Sequence, residues 1–251
     1  MGDSTTTILR SYMSGGVTDA ALTEAVHDPR LPTPALVTEA VTAIEAERAS
    51  GEEASSLALL VLQQRADDEV LQTALSLLQE SNPAARQLGC KLLRELPSLD
   101  LAPYPHSLQA VKALEQMIAV EDDEEVLTRA LDAVGWQCHP AGLDVLLRMQ
   151  NDERASVRHV VANNLLQVCP EGHVLPDAVT EALLRLARDP DDDIRWSVLY
   201  DVAEFPYMFR RHRSQFRAAA AEAQSDRNSS VREQASRACE ALDNLNCGSD
   251  T

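Results

Sequence analysis

The fold follows from residues 189–205, DPDDDIRWSVLYDVAEF. An acidic turn is followed by one apolar residue, an arginine, and a run whose apolar residues recur every three or four positions. That spacing is typical of a helix with one buried face, and acidic side chains favour the N-terminal end of a helix. Weaker copies of this pattern lie upstream and downstream, so the sequence predicts a helical repeat.

The copies align on their first apolar residue, and the five anchors are Ala85, Val126, Val157, Ile194 and Val231. Successive anchors lie 41, 31, 37 and 37 residues apart. Another helical run and a short break precede each aligned run. A unit of two helices and about 37 residues has the size of an α-solenoid repeat.

Arginine follows four of the five anchors, as Arg86, Arg158, Arg195 and Arg232, whereas the second unit has Leu127. The D-x-x-x-[VI]-R pattern within residues 67–244 resembles the HEAT family, in particular bacterial HEAT-like repeats related to those in phycobilisome lyases. This resemblance implies an all-α fold, a right-handed α-solenoid (superhelix) of HEAT-like two-helix repeats.

The predicted organisation has four parts. Residues 1–17 are expected to be a loosely ordered N-terminus and residues 18–66 a helical cap. Residues 67–244 form five HEAT-like repeats, and 245–251 form a flexible tail. The N-terminal third matches the repeat poorly, which leaves open whether the solenoid begins near residue 18 or near residue 67.

Composition narrows the range of functions. With 22 basic and 40 acidic residues, the formal net charge is −18. This charge disfavours nucleic acid, which needs a positive footprint, and favours a protein partner with a basic surface. The sequence shows no signal peptide, no apolar run long enough for a membrane span and no disulfide framework in its five scattered cysteines, so we expect a cytoplasmic protein without membrane contact. It shows no catalytic or metal-binding motif, and no cofactor is predicted.

The aligned helices separate a buried stripe from a polar face. The stripe comprises the anchors and the residues four and eight positions later, including Cys239, and Cys90 lies beside it; both cysteines are expected to be buried. The polar face comprises Gln87, Thr128, His159, Trp196, Glu233 and, one turn later, Lys91, Asp132, Asn163, Tyr200, Arg237. The HEAT resemblance implies that this face lies on the concave surface.

Trp196 and Tyr200 are distinctive because every other unit has polar residues at both positions. An exposed aromatic pair is typical of a binding hot spot, whereas packing of Trp196 against a neighbouring helix is the alternative. The candidate partner-binding residues are Trp196, Tyr200, His159, Asn163, Asp132 and Arg237.

Two further features leave alternatives open. The recurring arginines either pair with carboxylates of nearby turns, such as Asp152, Asp191 or Asp226, or form an anion-binding ladder. Residues 205–217, FPYMFRRHRSQFR, combine aromatic and basic side chains. They either belong to the core of the last repeat or bind a protein or nucleic acid.

The sequence favours a non-enzymatic protein–protein interaction module, an adaptor, scaffold or inhibitor, that binds its partner on the concave face. Two alternatives rest on the resemblance. One is an enzyme similar to HEAT-like DNA glycosylases, using Trp196, Tyr200, Asp201 and His159. The other is a lyase-like chaperone that modifies a client.

Overall fold

The computed structural model describes residues 4–13, 18–52, 56–96, 105–169 and 175–245. Over these ranges the chain forms α-helices and one 3₁₀ segment, and no β-strand. The chain divides into two compact units, residues 1–137 (unit 1) and residues 138–251 (unit 2). This division is not visible in the repeat spacing, which continues across it.

Unit 1 contains eight helices in its described part: α1 (Thr5–Met13), α2 (Asp19–Val26), α3 (Thr33–Ser50), α4 (Leu57–Arg65), α5 (Asp68–Leu77), α6 (Pro83–Glu95), α7 (Ser107–Ile118) and α8 (Glu124–Trp136). Helix α1 lies within residues 1–17, for which the sequence predicted a loosely ordered N-terminus. The side chains of Ile8 and Leu9 are buried, which accounts for the order of this segment. Residues 1–3 and 14–17 lie outside the described ranges.

Unit 2 continues the order of paired helices in its described part: α9 (Gly142–Met149), α10 (Ala155–Asn164), α11 (Asp177–Leu186), α12 (Asp192–Glu204), the 3₁₀ segment (Pro206–His212), α13 (Arg213–Ala223) and α14 (Ser229–Asn244). Polar side chains cap the starts of α12 and α14. The Asp191 side chain accepts hydrogen bonds from the backbone N–H groups of Asp193 and Ile194 at the start of α12. Such caps satisfy donors that have no partner within the helix. Most of the predicted tail, residues 246–251, lies outside the described ranges.

The predicted buried stripe is confirmed. All five anchors are buried, and four of them are completely inaccessible. Cys90 and Cys239 are buried as expected, and burial raises the pKa of the Cys90 thiol. Gly89 occupies a stripe position that other units fill with Ala or Val, because a Cβ there would lie 2.9 Å from the carbonyl oxygen of Ala74 on α5.

The recurring arginines hold successive turns together. In three of the four, Nη1 donates to two backbone carbonyls in the turn just before the arginine's own helix, while Nε and Nη2 donate to a carboxylate 31 or 35 residues further along the chain. We call this arrangement the arginine staple, and the pairs are Arg86 with Glu121, Arg158 with Asp189, and Arg195 with Asp226. Hydrogen bonds from Arg195 hold the pKa of Asp226 below its ordinary value.

These contacts favour the structural role of the arginines. Two carboxylates that were expected to pair with them, Asp152 and Asp191, have other partners. The carboxylate of Asp152 pairs with Arg154 at 2.8 Å, and the carboxylate of Asp191 caps α12. Only Asp226 is a partner that the sequence predicted. Arg232 donates to the carbonyl oxygens of Asp226 and Arg227, but no carboxylate in the described part of the chain completes its staple.

Candidate functional site

An aromatic stack lies on the outward face of α12. The rings of Trp196 and Tyr200 have centroids 5.2 Å apart and planes inclined by 20°. The two residues are 37% and 38% exposed, respectively, so each ring lies against the other and remains open to solvent. One helical turn separates them, which is the spacing that brings two side chains of a helix together.

Helix α10 packs against α12 and adds a polar edge. His159 occupies the position on α10 that Trp196 occupies on α12, and His159 Nε2 lies 3.0 Å from Ser197 Oγ. Asn163, one turn further along α10, is exposed. The structure therefore places both candidates on a helix adjoining the one that carries the stack.

Helix α14 packs against α12 on the chain's C-terminal side. Arg237 occupies the position equivalent to Tyr200, and its guanidinium donates to Glu204 at 2.6 Å and to the Gln234 side chain at 3.0 Å. Glu233 occupies the position equivalent to Trp196 and is exposed. The charge of Arg237 is thus balanced within the chain.

Asp201 follows Tyr200 on α12 but lies on a different face of the helix, because adjacent residues of a helix do not face each other. Its side chain is partly buried on α12, and it has no hydrogen-bond or ion-pair partner among the residues that the structure describes. Burial disfavours the charged form and raises the pKa of Asp201 to about 7. Three of the other units have Leu92, Ala133 and Ala238 at the same position and the fourth has Asn164, so Asp201 is the one ionisable residue of this column.

Asp132, the remaining candidate residue, belongs to unit 1. There its carboxylate accepts a hydrogen bond from Arg94 Nε at 2.7 Å. The guanidinium carbon of Arg94 lies 4.1 Å from the ring centroid of Trp136, which is 39% exposed. The sequence pattern gave no sign of this Arg94–Trp136 pair, because its members lie on different helices, 42 residues apart.

The passage at residues 205–217 contributes two aromatic side chains to the core, while Phe205 and Tyr207 are exposed. Phe209 and Phe216 are buried and pack edge to face, with ring centroids 4.6 Å apart. Arg213 and Arg217 pair with Asp243 at the end of α14. The exposed aromatic side chain at Tyr207 remains outside this core.

The described residues contain no group of three or more His, Cys, Asp or Glu side chains that could hold a metal ion. A groove of about 590 Å³ in unit 2 is lined by residues that include Arg188, Arg195, Glu222 and Asp226. Arg188 pairs with Glu222 and Arg195 with Asp226, whereas Arg227, also in the lining, donates to the carbonyl oxygen of Pro190. No helix in the described ranges is both long and apolar enough to cross a lipid bilayer.

Comparison with known proteins shows the fold. No protein-family model and no curated protein matches the chain. An X-ray structure of YibA from E. coli matches with a TM-score of 0.56 and 15% identity, covering 98% of this chain and 80% of that one. Computationally designed armadillo repeat proteins for modular peptide recognition match with a TM-score of 0.51 and 15% identity, covering 93% and 98%. These likenesses confirm the predicted all-α solenoid.

Proposed function

We propose that this protein is a non-enzymatic interaction module that binds a protein partner through the α12 face, defined here as Trp196, Tyr200 and the neighbouring side chains of α10 and α14. The stacked, exposed Trp196–Tyr200 pair carries the proposal, because large rigid rings that remain accessible contribute much of the binding energy of protein interfaces.

The fold supports this function. Helical repeats present rows of side chains from successive helices, and an extended segment can contact several of them at once. The designed armadillo repeat proteins that share the fold were made for peptide recognition. The concave position of the face, the relationship to phycobilisome-lyase repeats, the role as adaptor, scaffold or inhibitor and the cytoplasmic location stay predictions.

A display selection tests the proposal. A library of random peptides is selected on the wild-type protein and on a Trp196→Ala/Tyr200→Ala variant, with Tyr207→Ala as the matched control. Tyr207 is 60% exposed and lies outside the α12 face. We expect the selection to yield peptides that bind the wild type and the control with similar affinity. Their affinity for the double variant should be lower by at least about tenfold. Peptides that bind all three proteins equally, or no enriched peptide, would contradict the proposal.

A second candidate is an enzyme, and the observation that favours it is Asp201. A partly buried carboxylate whose pKa is about 7 suits general acid–base chemistry near neutral pH. The test is a base-excision assay on DNA with the wild type and Asp201→Asn. Release of a base that the variant abolishes would favour this candidate, and absence of release at low salt would end it.

A further inference from the structure

In unit 1, an arginine of the chain itself lies over an exposed tryptophan ring. Trp136 at the end of α8 and Trp196 on α12 are exposed to nearly the same extent, 39% and 37%. The guanidinium of Arg94 on the neighbouring helix α6 covers the ring of Trp136. A cation over the face of an aromatic ring is attracted by the negative potential of that face.

The aromatic stack of unit 2 has no such cover. Among the residues that the structure describes, no arginine or lysine lies over the ring of Trp196 or Tyr200. The two nearly parallel rings present a broader aromatic surface than Trp136 alone. The Trp196–Tyr200 stack therefore resembles Trp136 in being an exposed aromatic surface, but it lacks the arginine that covers Trp136.

The charges around the stack suit a cation from outside the chain. In unit 1, Asp132 and Glu95 balance Arg94. In unit 2, Asp193 lies one turn before Trp196, and Glu233 occupies the position equivalent to Trp196 on α14. Both side chains are exposed, and neither pairs with a basic group in the described ranges. The nearby Arg237 is held by Glu204, so it does not supply the missing cation.

We propose that the α12 face binds an arginine side chain of the partner, with its guanidinium over the Trp196–Tyr200 stack and Asp193 or Glu233 as the counter-charge. This inference rests on the proposed function and specifies the ligand of the same face. Arginine suits the position better than lysine, because the planar guanidinium stacks on aromatic rings and is more weakly hydrated than an ammonium group.

The test uses three synthetic peptides of glycine and serine with one central residue, which is arginine, lysine or citrulline. Citrulline keeps the shape of arginine but is uncharged. The measurement follows the two indole N–H signals of the ¹⁵N-labelled protein, which contains only Trp136 and Trp196. A Trp136→Phe variant assigns the signals, and the Trp136 signal serves as the internal control.

We expect the arginine peptide to shift the Trp196 signal and to leave the Trp136 signal in place. Citrulline in place of arginine should weaken binding by about fivefold or more, and lysine should give an intermediate affinity. Glu233→Gln changes an exposed side chain and should lower the affinity for the arginine peptide by about twofold to fivefold.

Equal binding of the arginine and citrulline peptides, or no shift of the Trp196 signal by the arginine peptide, would overturn the arginine proposal. The display selection separates this failure from failure of the proposed function. Face-dependent peptides without arginine would leave the binding function in place and reject only its cationic ligand. No face-dependent peptide would reject both.

Discussion

Units 1 and 2 each expose a tryptophan from the second helix of a repeat, but the side chains that contact the two rings differ. In unit 1, Arg94 lies over Trp136 and its charge is balanced by Asp132. In unit 2, Trp196 stacks on Tyr200 and both rings stay open. The difference indicates that one scaffold can satisfy an exposed aromatic internally or leave it available to a partner.

The arginine staple, by contrast, is common to both units. Arg86 holds Glu121 in unit 1, and Arg195 holds Asp226 in unit 2. These contacts between successive repeats therefore recur in both units, whereas the side chains of the exposed face differ from repeat to repeat.

Removal of a complete staple should destabilise either unit. Arg86→Ala and Arg195→Ala should each lower the free energy of unfolding by about 3–5 kcal/mol, because each leaves a largely buried carboxylate without its partner. Urea unfolding followed by circular dichroism measures the change. Arg232→Ala is the matched control, and it should cost much less because that arginine lacks a carboxylate partner in the described part of the chain. Equal losses at Arg195 and Arg232 would contradict the role of the carboxylate.

Asp201 should make the stability of unit 2 depend on pH. Its pKa is raised from 3.8 to about 7, so between these values the folded protein keeps a proton that the unfolded chain releases. Stability therefore falls as the pH rises through this window. Asp201→Asn removes the effect and should be more stable than the wild type by about 2–4 kcal/mol at pH 8, with no gain near pH 4.

Urea unfolding at several pH values measures the Asp201 effect. Asp132→Asn in unit 1 is the matched control, because it removes a carboxylate that is paired with Arg94. We expect no stabilisation from this control at pH 8. A wild type and an Asp201→Asn variant with parallel pH profiles would show that the carboxylate is not desolvated.

An arginine placed beside the unit 2 stack should make it resemble unit 1. Asn163 is exposed on α10, and helical side chains lean towards the N-terminus, so Asn163→Arg should bring a guanidinium towards Trp196. We expect the affinity for the arginine peptide to fall by about tenfold, with little change in folding stability. Asn163→Gln is the control of similar polarity without charge. Loss of affinity in both variants would indicate steric blocking instead of competition by the cation.

The positions of the helices could be predicted from the sequence because their signals are local. The five aligned runs become α6, α8, α10, α12 and α14, and in each of them the anchor is the third residue of the helix. The buried stripe follows from the helical period, since residues four positions apart share one face. Helix α1 could not be predicted in the same way, because its burial depends on contacts with other helices, including α2 and α3.

The fold class, the repeat length and the candidate aromatic pair on α12 follow from the amino-acid sequence alone. Three-dimensional packing was needed to identify the carboxylate that completes each staple, the ring that Arg94 covers and the acid that is shielded from solvent. Those outcomes depend on distances between helices of different repeats, which a helical period does not encode. The pKa of Asp201 is the clearest case, because the same side chain in an exposed position would be ionised at neutral pH.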